Sequence, residues 1–76
     1  MNKQRRKALN ELLESIQILH DDLEAIMDEE QDALDNMPEN LQGSERYEAM
    51  EDAINSMDEA LSSLDEAMEA IENAAE

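Results

Sequence analysis

The sequence predicts an all-α fold: an antiparallel two-helix hairpin, coiled-coil-like, that dimerises into a four-helix bundle. Three observations carry that expectation. Apolar residues recur at alternating three- and four-residue steps through both halves of the chain. The sole Pro (Pro38) and the sole Gly (Gly43) stand together near the middle. The chain has 76 residues and no Cys, so it reads as one domain, residues 1–76, with a small core and no disulfide to support it.

The first helix is expected over about residues 2–36. Its apolar ladder is Leu9, Leu12, Ile16, Leu19, Leu23 and Ile26, continuing through Glu30, Ala33 and Met37. With Leu9 at heptad position a, these residues alternate between a and d, the two positions that make a coiled-coil seam. Leu13, His20, Met27 and Leu34 form a further column at e. Three apolar columns in seven positions make a stripe wider than one partner helix covers. That surplus is the reason to expect a homodimer, or a helix supplied by a partner.

The break covers residues 37–43. Pro38 lacks the N–H that a continuing helix needs and pushes Met37 out of the α region. Gly43 is free to take a positive φ, and Ser44 is placed to cap the next helix. Glu45 and Glu48 suit the positive helix start. A loop this short demands adjacent, antiparallel helices.

The second helix is expected over about residues 44–75. Tyr47, Met50, Ile54, Met57, Leu61, Leu64, Met68, Ile71 and Ala75 alternate three and four without a slip. Ala53, Ala60, Ala67 and Ala74 add a g column, and Glu51, Asp58, Asp65 and Glu72 fill e. The result is a seven-residue internal repeat in which small residues allow close approach on one side and acids mark solvent on the other.

Charge dominates the composition: 22 Asp and Glu against 5 Lys and Arg, a formal net charge of −17. Lys3, Arg5, Arg6 and Lys7 hold four of the five cations, so everything after residue 7 carries all the acids and only Arg46. Such a body repels nucleic acid and anionic lipid and attracts basic surfaces. The four N-terminal cations read as an end clamp beside Glu69, Glu72 and Glu76 of the returning helix; an arm for nucleic acid or lipid is the other reading. Although the start is basic like a signal peptide, Asn10, Glu11 and Glu14 interrupt any apolar run, and no stretch nears the ~20 apolar residues of a membrane span. The expected location is the cytoplasm, of a host cell if the chain is viral.

Residues that carry chemistry are sparse. His20 is the sole His and reads as a boundary residue of the core; Gln17 stands where the Glu-x-x-His motif of di-metal bundles needs Glu. The run Asp28-Glu29-Glu30-Gln31-Asp32-Ala33-Leu34-Asp35 is acidic enough for Ca²⁺ but lacks the Gly and register of an EF-hand. It reads as a solvated face with at most weak divalent-ion association. Glu30 is a lone acid on the apolar ladder, expected to meet Arg46 or Tyr47. No nucleophile triad or phosphate loop occurs. The reading is a non-enzyme without metal or cofactor.

The loop Asp35-Asn36-Met37-Pro38-Glu39-Asn40-Leu41-Gln42-Gly43-Ser44-Glu45-Arg46-Tyr47-Glu48, followed by Met50-Glu51-Asp52-Ala53-Ile54 and the acidic heptads, resembles a group of small acidic proteins of phages and prophages of Gram-positive bacteria. The resemblance spans about residues 28–76. It implies a setting of host takeover or anti-defence and assigns no site residues.

A physical estimate points the same way. Two helices of about 32 residues make a rod roughly 48 Å long at ~1.5 Å per residue. Its acids then fall one per ~2.2 Å, against one charge per ~1.7 Å of duplex DNA. The leading expectation is therefore a DNA-charge mimic that blocks a basic host protein, a nucleic-acid-binding protein or defence nuclease. The acids expected to carry it are Asp21, Asp22, Asp28, Glu29, Asp32 and Asp35 on the first helix, with Glu51, Asp58 and Asp65 on the second. The alternative is an assembly module that dimerises or lends its apolar stripe to a helical partner; masking a basic phage protein fits the same charge.

Overall fold

A computed structural model describes all 76 residues as two antiparallel helices, α1 (Lys3–Asp35) and α2 (Glu45–Ala74), joined by a loop that holds one 3-10 turn at Glu39–Leu41. The molecule is a rod of 60 × 15 × 12 Å. No helix is long and apolar enough to cross a membrane.

Local chemistry sets the boundaries. The Asn2 side chain accepts from the Arg5 backbone N–H at 2.8 Å and starts α1. At its end, Asn36 donates twice to the Asp32 carbonyl, from its backbone N–H at 3.1 Å and from its side-chain amide at 2.8 Å, and so holds the last turn of α1. Pro38, with φ −57° and ψ 146°, is extended and keeps the chain out of α1. Gly43 takes φ +86°, a left-handed conformation that a side chain would strain. Ser44 then accepts from the Tyr47 N–H at 3.2 Å, the cap its position foretold.

α2 buries its expected face. Tyr47, Met50, Ile54, Met57, Leu61, Leu64, Met68, Ile71 and Ala75 are each at least partly buried. α1 does not. Its seam is made by Leu9, Leu13, Ile16, His20, Leu23, Met27, Glu30, Leu34 and Met37, which are the a and e columns. The d column is turned out: Leu12 is 47% exposed, Leu19 60% and Ile26 55%. A helix with three apolar columns offers two overlapping seams, and one partner helix covers only two columns. The pair that wins keeps Leu34 rather than Ala33 at the loop end, where Leu34, Tyr47 and Ile54 line one side of a shallow cleft. Leu34 and Leu61, each 7% exposed, are the only buried residues, and no side chain is sealed off completely from solvent.

His20 and Asp65 are in contact and so fix the register. Because the helices run in opposite directions at equal rise, each residue nearer the N-terminus than His20 is level with one equally far beyond Asp65. Leu9 is thus about level with Glu76, and residues 3–8 project past the end of α2. This overturns the end clamp: Lys3, Arg5, Arg6 and Lys7 form no ion pair, and the Arg6 guanidinium donates to the Met1 carbonyl at 2.8 Å. The overhang and loop also lengthen the rod beyond the sequence estimate. At 60 Å, the 22 acids fall one per ~2.7 Å, sparser than duplex DNA. The same register separates Glu30 from its expected partners. Glu30 is level with Asn55, and Arg46 lies nine residues nearer the loop in α2, so neither Arg46 nor Tyr47 reaches it.

Candidate functional site

The seam divides the surface of the rod into two edges. On one, α2 presents its e column, Glu51, Asp58, Asp65 and Glu72. Across the seam α1 presents Glu14, Asp21, Asp28 and Asp35, one position round the helix from Gln17, Glu24 and Gln31. The register sets these acids level in four rungs: Glu14 with Glu72, Asp21 with Asp65, Asp28 with Asp58, and Asp35 with Glu51. Two rungs are visible as shared contacts. Asp21 and Asp65 both touch His20, and Asp35 and Glu51 line one shallow cleft with Gln31 and Asn55. Rungs repeat every seven residues, ~10.5 Å at the helical rise.

His20 is the one basic group in this ladder. Its side chain is 14% exposed and lies between two carboxylates, with Nε2 3.0 Å from Asp65 and Nδ1 3.4 Å from Asp21. Both ring nitrogens face acceptors, so only the doubly protonated ring donates at both. The position of His20 in a core column was legible from the heptads. Its partner was not, because Asp65 is 45 residues away and becomes a neighbour only once the register is set.

The remaining contacts orient the acids without neutralising them. The Gln17 amide donates to Asp21 at 3.0 Å and the Gln31 amide to Asp35 at 2.9 Å, each four residues along α1. No Lys or Arg pairs with any acid, since both ion contacts in the molecule belong to His20. All the acids are exposed except Glu30, which is partly buried in the seam.

The nine acids singled out from the sequence are all exposed, but they do not form one surface. Asp21, Asp28 and Asp35 join Glu51, Asp58 and Asp65 on the ladder. Asp22, Glu29 and Asp32 lie round the other flank and back of α1. Glu14 and Glu72 complete the ladder but are not among the nine: Glu72 stands in the same e column but reads from the sequence as part of the end clamp, and Glu14 does not read there as a binding acid. The signal was present, because Glu14 precedes Asp21, Asp28 and Asp35 by whole heptads.

The opposite edge carries no ladder of charge. Leu12, Leu19 and Ile26 of α1 run beside Ala74, Ala67 and Ala60 of α2 at the same levels. Ile18, 62% exposed on the back of α1, belongs to neither edge, and nothing in the structure covers it. Nowhere do three His, Cys, Asp or Glu side chains converge in a geometry able to hold a metal ion. No protein-family model, curated protein or solved structure matches the chain.

Proposed function

We propose that the chain is a non-enzymatic acidic binding protein of phage type, which mimics DNA charge to occupy and inhibit a basic nucleic-acid-binding or defence protein of the host cytoplasm. The observation that supports this reading is the ladder: carboxylates of the two helices level with one another at regular ~10.5 Å intervals, with no Lys or Arg paired to any of them. Soluble helices commonly gain from Glu–Lys pairs four residues apart. Here that gain is forgone and self-repulsion is accepted, a cost that makes sense if the charge serves a partner. A basic channel would be drawn to the ladder quickly and in a salt-dependent way.

The protein acts as a homodimer forming a four-helix bundle. Two buried residues in 76, neither fully so, give too small a core for a free-standing hairpin, and the exposed Leu12, Leu19 and Ile26 leave one edge uncovered.

The test is capture of partners by the tagged protein from a lysate of its source cells, with washes of rising salt. A basic nucleic-acid enzyme recovered near stoichiometry, and released both by duplex DNA and by salt, supports the mimic. Recovery only of further copies of the chain, or of a salt-resistant helical partner, replaces it with an assembly module.

A further inference from the structure

Building on the dimeric state above, we propose that the occupant of the apolar edge is a second copy of this chain, related by a two-fold axis parallel to the rod. Each α1 then lies over the partner's α2, and all four neighbouring helix pairs are antiparallel.

The area asks for such a partner. A compact monomer of 8.6 kDa exposes about 4,700 Å². This chain exposes 5725 Å². The excess of about 1,000 Å², part of which comes from the elongated 60 × 15 × 12 Å shape, is large enough to include one side of a standard protein interface, about 800 Å².

The edge is self-complementary in size. α1 contributes a column of large side chains, Leu12, Leu19 and Ile26, and α2 a column of Ala74, Ala67 and Ala60 at the same three levels. The rotation brings the large column of one copy onto the small column of the other, and the reverse, as an isologous contact requires. Small residues on α2 let the facing helix approach closely, so the knobs fill the space instead of holding the helices apart. A two-fold axis across the rod would instead put Leu19 against Leu19, with the alanine columns stacked on each other.

The edge is also self-complementary in charge, which a molecule of net charge −17 must arrange deliberately. Asp22 and Glu29 are the acids at the rim on the α1 side. At the same levels the rim of α2 holds Ser63 and Ser56. In the proposed dimer each rim acid meets a hydroxyl of the partner, a donor for it, and no carboxylate faces another. The carboxylate ladders of both copies then lie on the two outer edges, doubling the acidic surface.

Because the chain has no Cys, the arrangement is testable by cross-linking. Leu19→Cys and Ala67→Cys are prepared separately, checked for helix content, mixed in equal amounts and treated with a short thiol-specific cross-linker. The expected product is a covalent dimer of one variant with the other, absent when either is treated alone. The rim pair Asp22→Cys and Ser63→Cys leaves the leucine column intact and gives the same mixed product. Cross-linking of Leu19→Cys to itself, or of Asp58→Cys to itself on the ladder edge, overturns the interface while preserving the dimer. A monomer mass by light scattering at 100 µM (about a hundredfold above a ~1 µM Kd, the weak end for an interface of this size) overturns the dimer itself. Neither result touches the ladder's binding of a basic protein.

Discussion

The two edges of the rod are built from the same heptads and do opposite things. Moving one position round α1 from the seam in one direction reaches Gln17, Glu24 and Gln31, with the acids Asp21, Asp28 and Asp35 behind them. Moving in the other reaches Leu12, Leu19 and Ile26, exposed and uncharged. α2 repeats the contrast, with Glu51, Asp58 and Asp65 on one flank and Ala60 and Ala67 on the other. Charge in this protein is therefore sorted rather than spread. A chain that was acidic only for solubility would gain nothing by keeping one flank of α2 to Ala and Ser from Ala49 to Ala74 while crowding the other. The sorting leaves one edge free to be covered and the other free to meet a cationic partner.

The contrast is broken most severely by placing a charge on the apolar edge. Leu19→Asp would bury an unpaired carboxylate twice in the proposed two-fold dimer, and is expected to weaken dimerisation at least about a hundredfold, ~2.7 kcal/mol or more. Sedimentation or light scattering over a dilution series reads this directly. Retention of the wild-type mass profile would show that the edge is not covered.

A smaller, opposite effect is expected from the acidic edge. Asp28→Asn with Asp58→Asn removes one rung and relieves like-charge repulsion across the seam. Its melting temperature should rise by a few degrees at low salt, with the dimer mass unchanged. That rise should shrink as salt is added, because salt screens the same repulsion in the parent. Binding to a basic partner should weaken. A lower melting temperature, or a gain insensitive to salt, would show that the rung is not a site of net repulsion.

The smallest effect sharpens the seam between the edges. His20→Gln loses the contact of Nε2 with Asp65 and is expected to cost about 0.5–1.5 kcal/mol of unfolding free energy. Asp65→Asn should cost less in the His20→Gln background than in the parent, since the bond is already gone. Equal costs in the two backgrounds would mean the contact contributes nothing.

Much of the fold was legible from local chemistry. Pro38, Gly43 and Ser44 state where one helix stops and the next begins, and each does so through its own backbone properties. The seam of α2 was legible because its apolar residues occupy only two columns, apart from the alanines. The seam of α1 was not, since Leu12, Leu19 and Ile26 compete with Leu13, Met27 and Leu34 for the same partner, and periodicity alone scores both alike. The candidate site was half legible for a related reason. Individual acids, and their heptad spacing, can be read along the chain. Which acid of α1 stands level with which acid of α2 depends on the offset between the helices.

What the sequence by itself determined is therefore everything set within about one helical turn or repeated every seven residues: two helices, one turn, antiparallel direction, and a body almost without bases. Tertiary structure decided the rest. The offset placed His20 against Asp65, carried the basic N-terminus past the end of α2, kept Arg46 from Glu30, and aligned the carboxylates into rungs. The choice of seam left the leucine column beside the alanines. Both follow from one physical fact: helices bury side chains only in matched pairs of columns, so the partner helix, and not the helix itself, settles which columns face water.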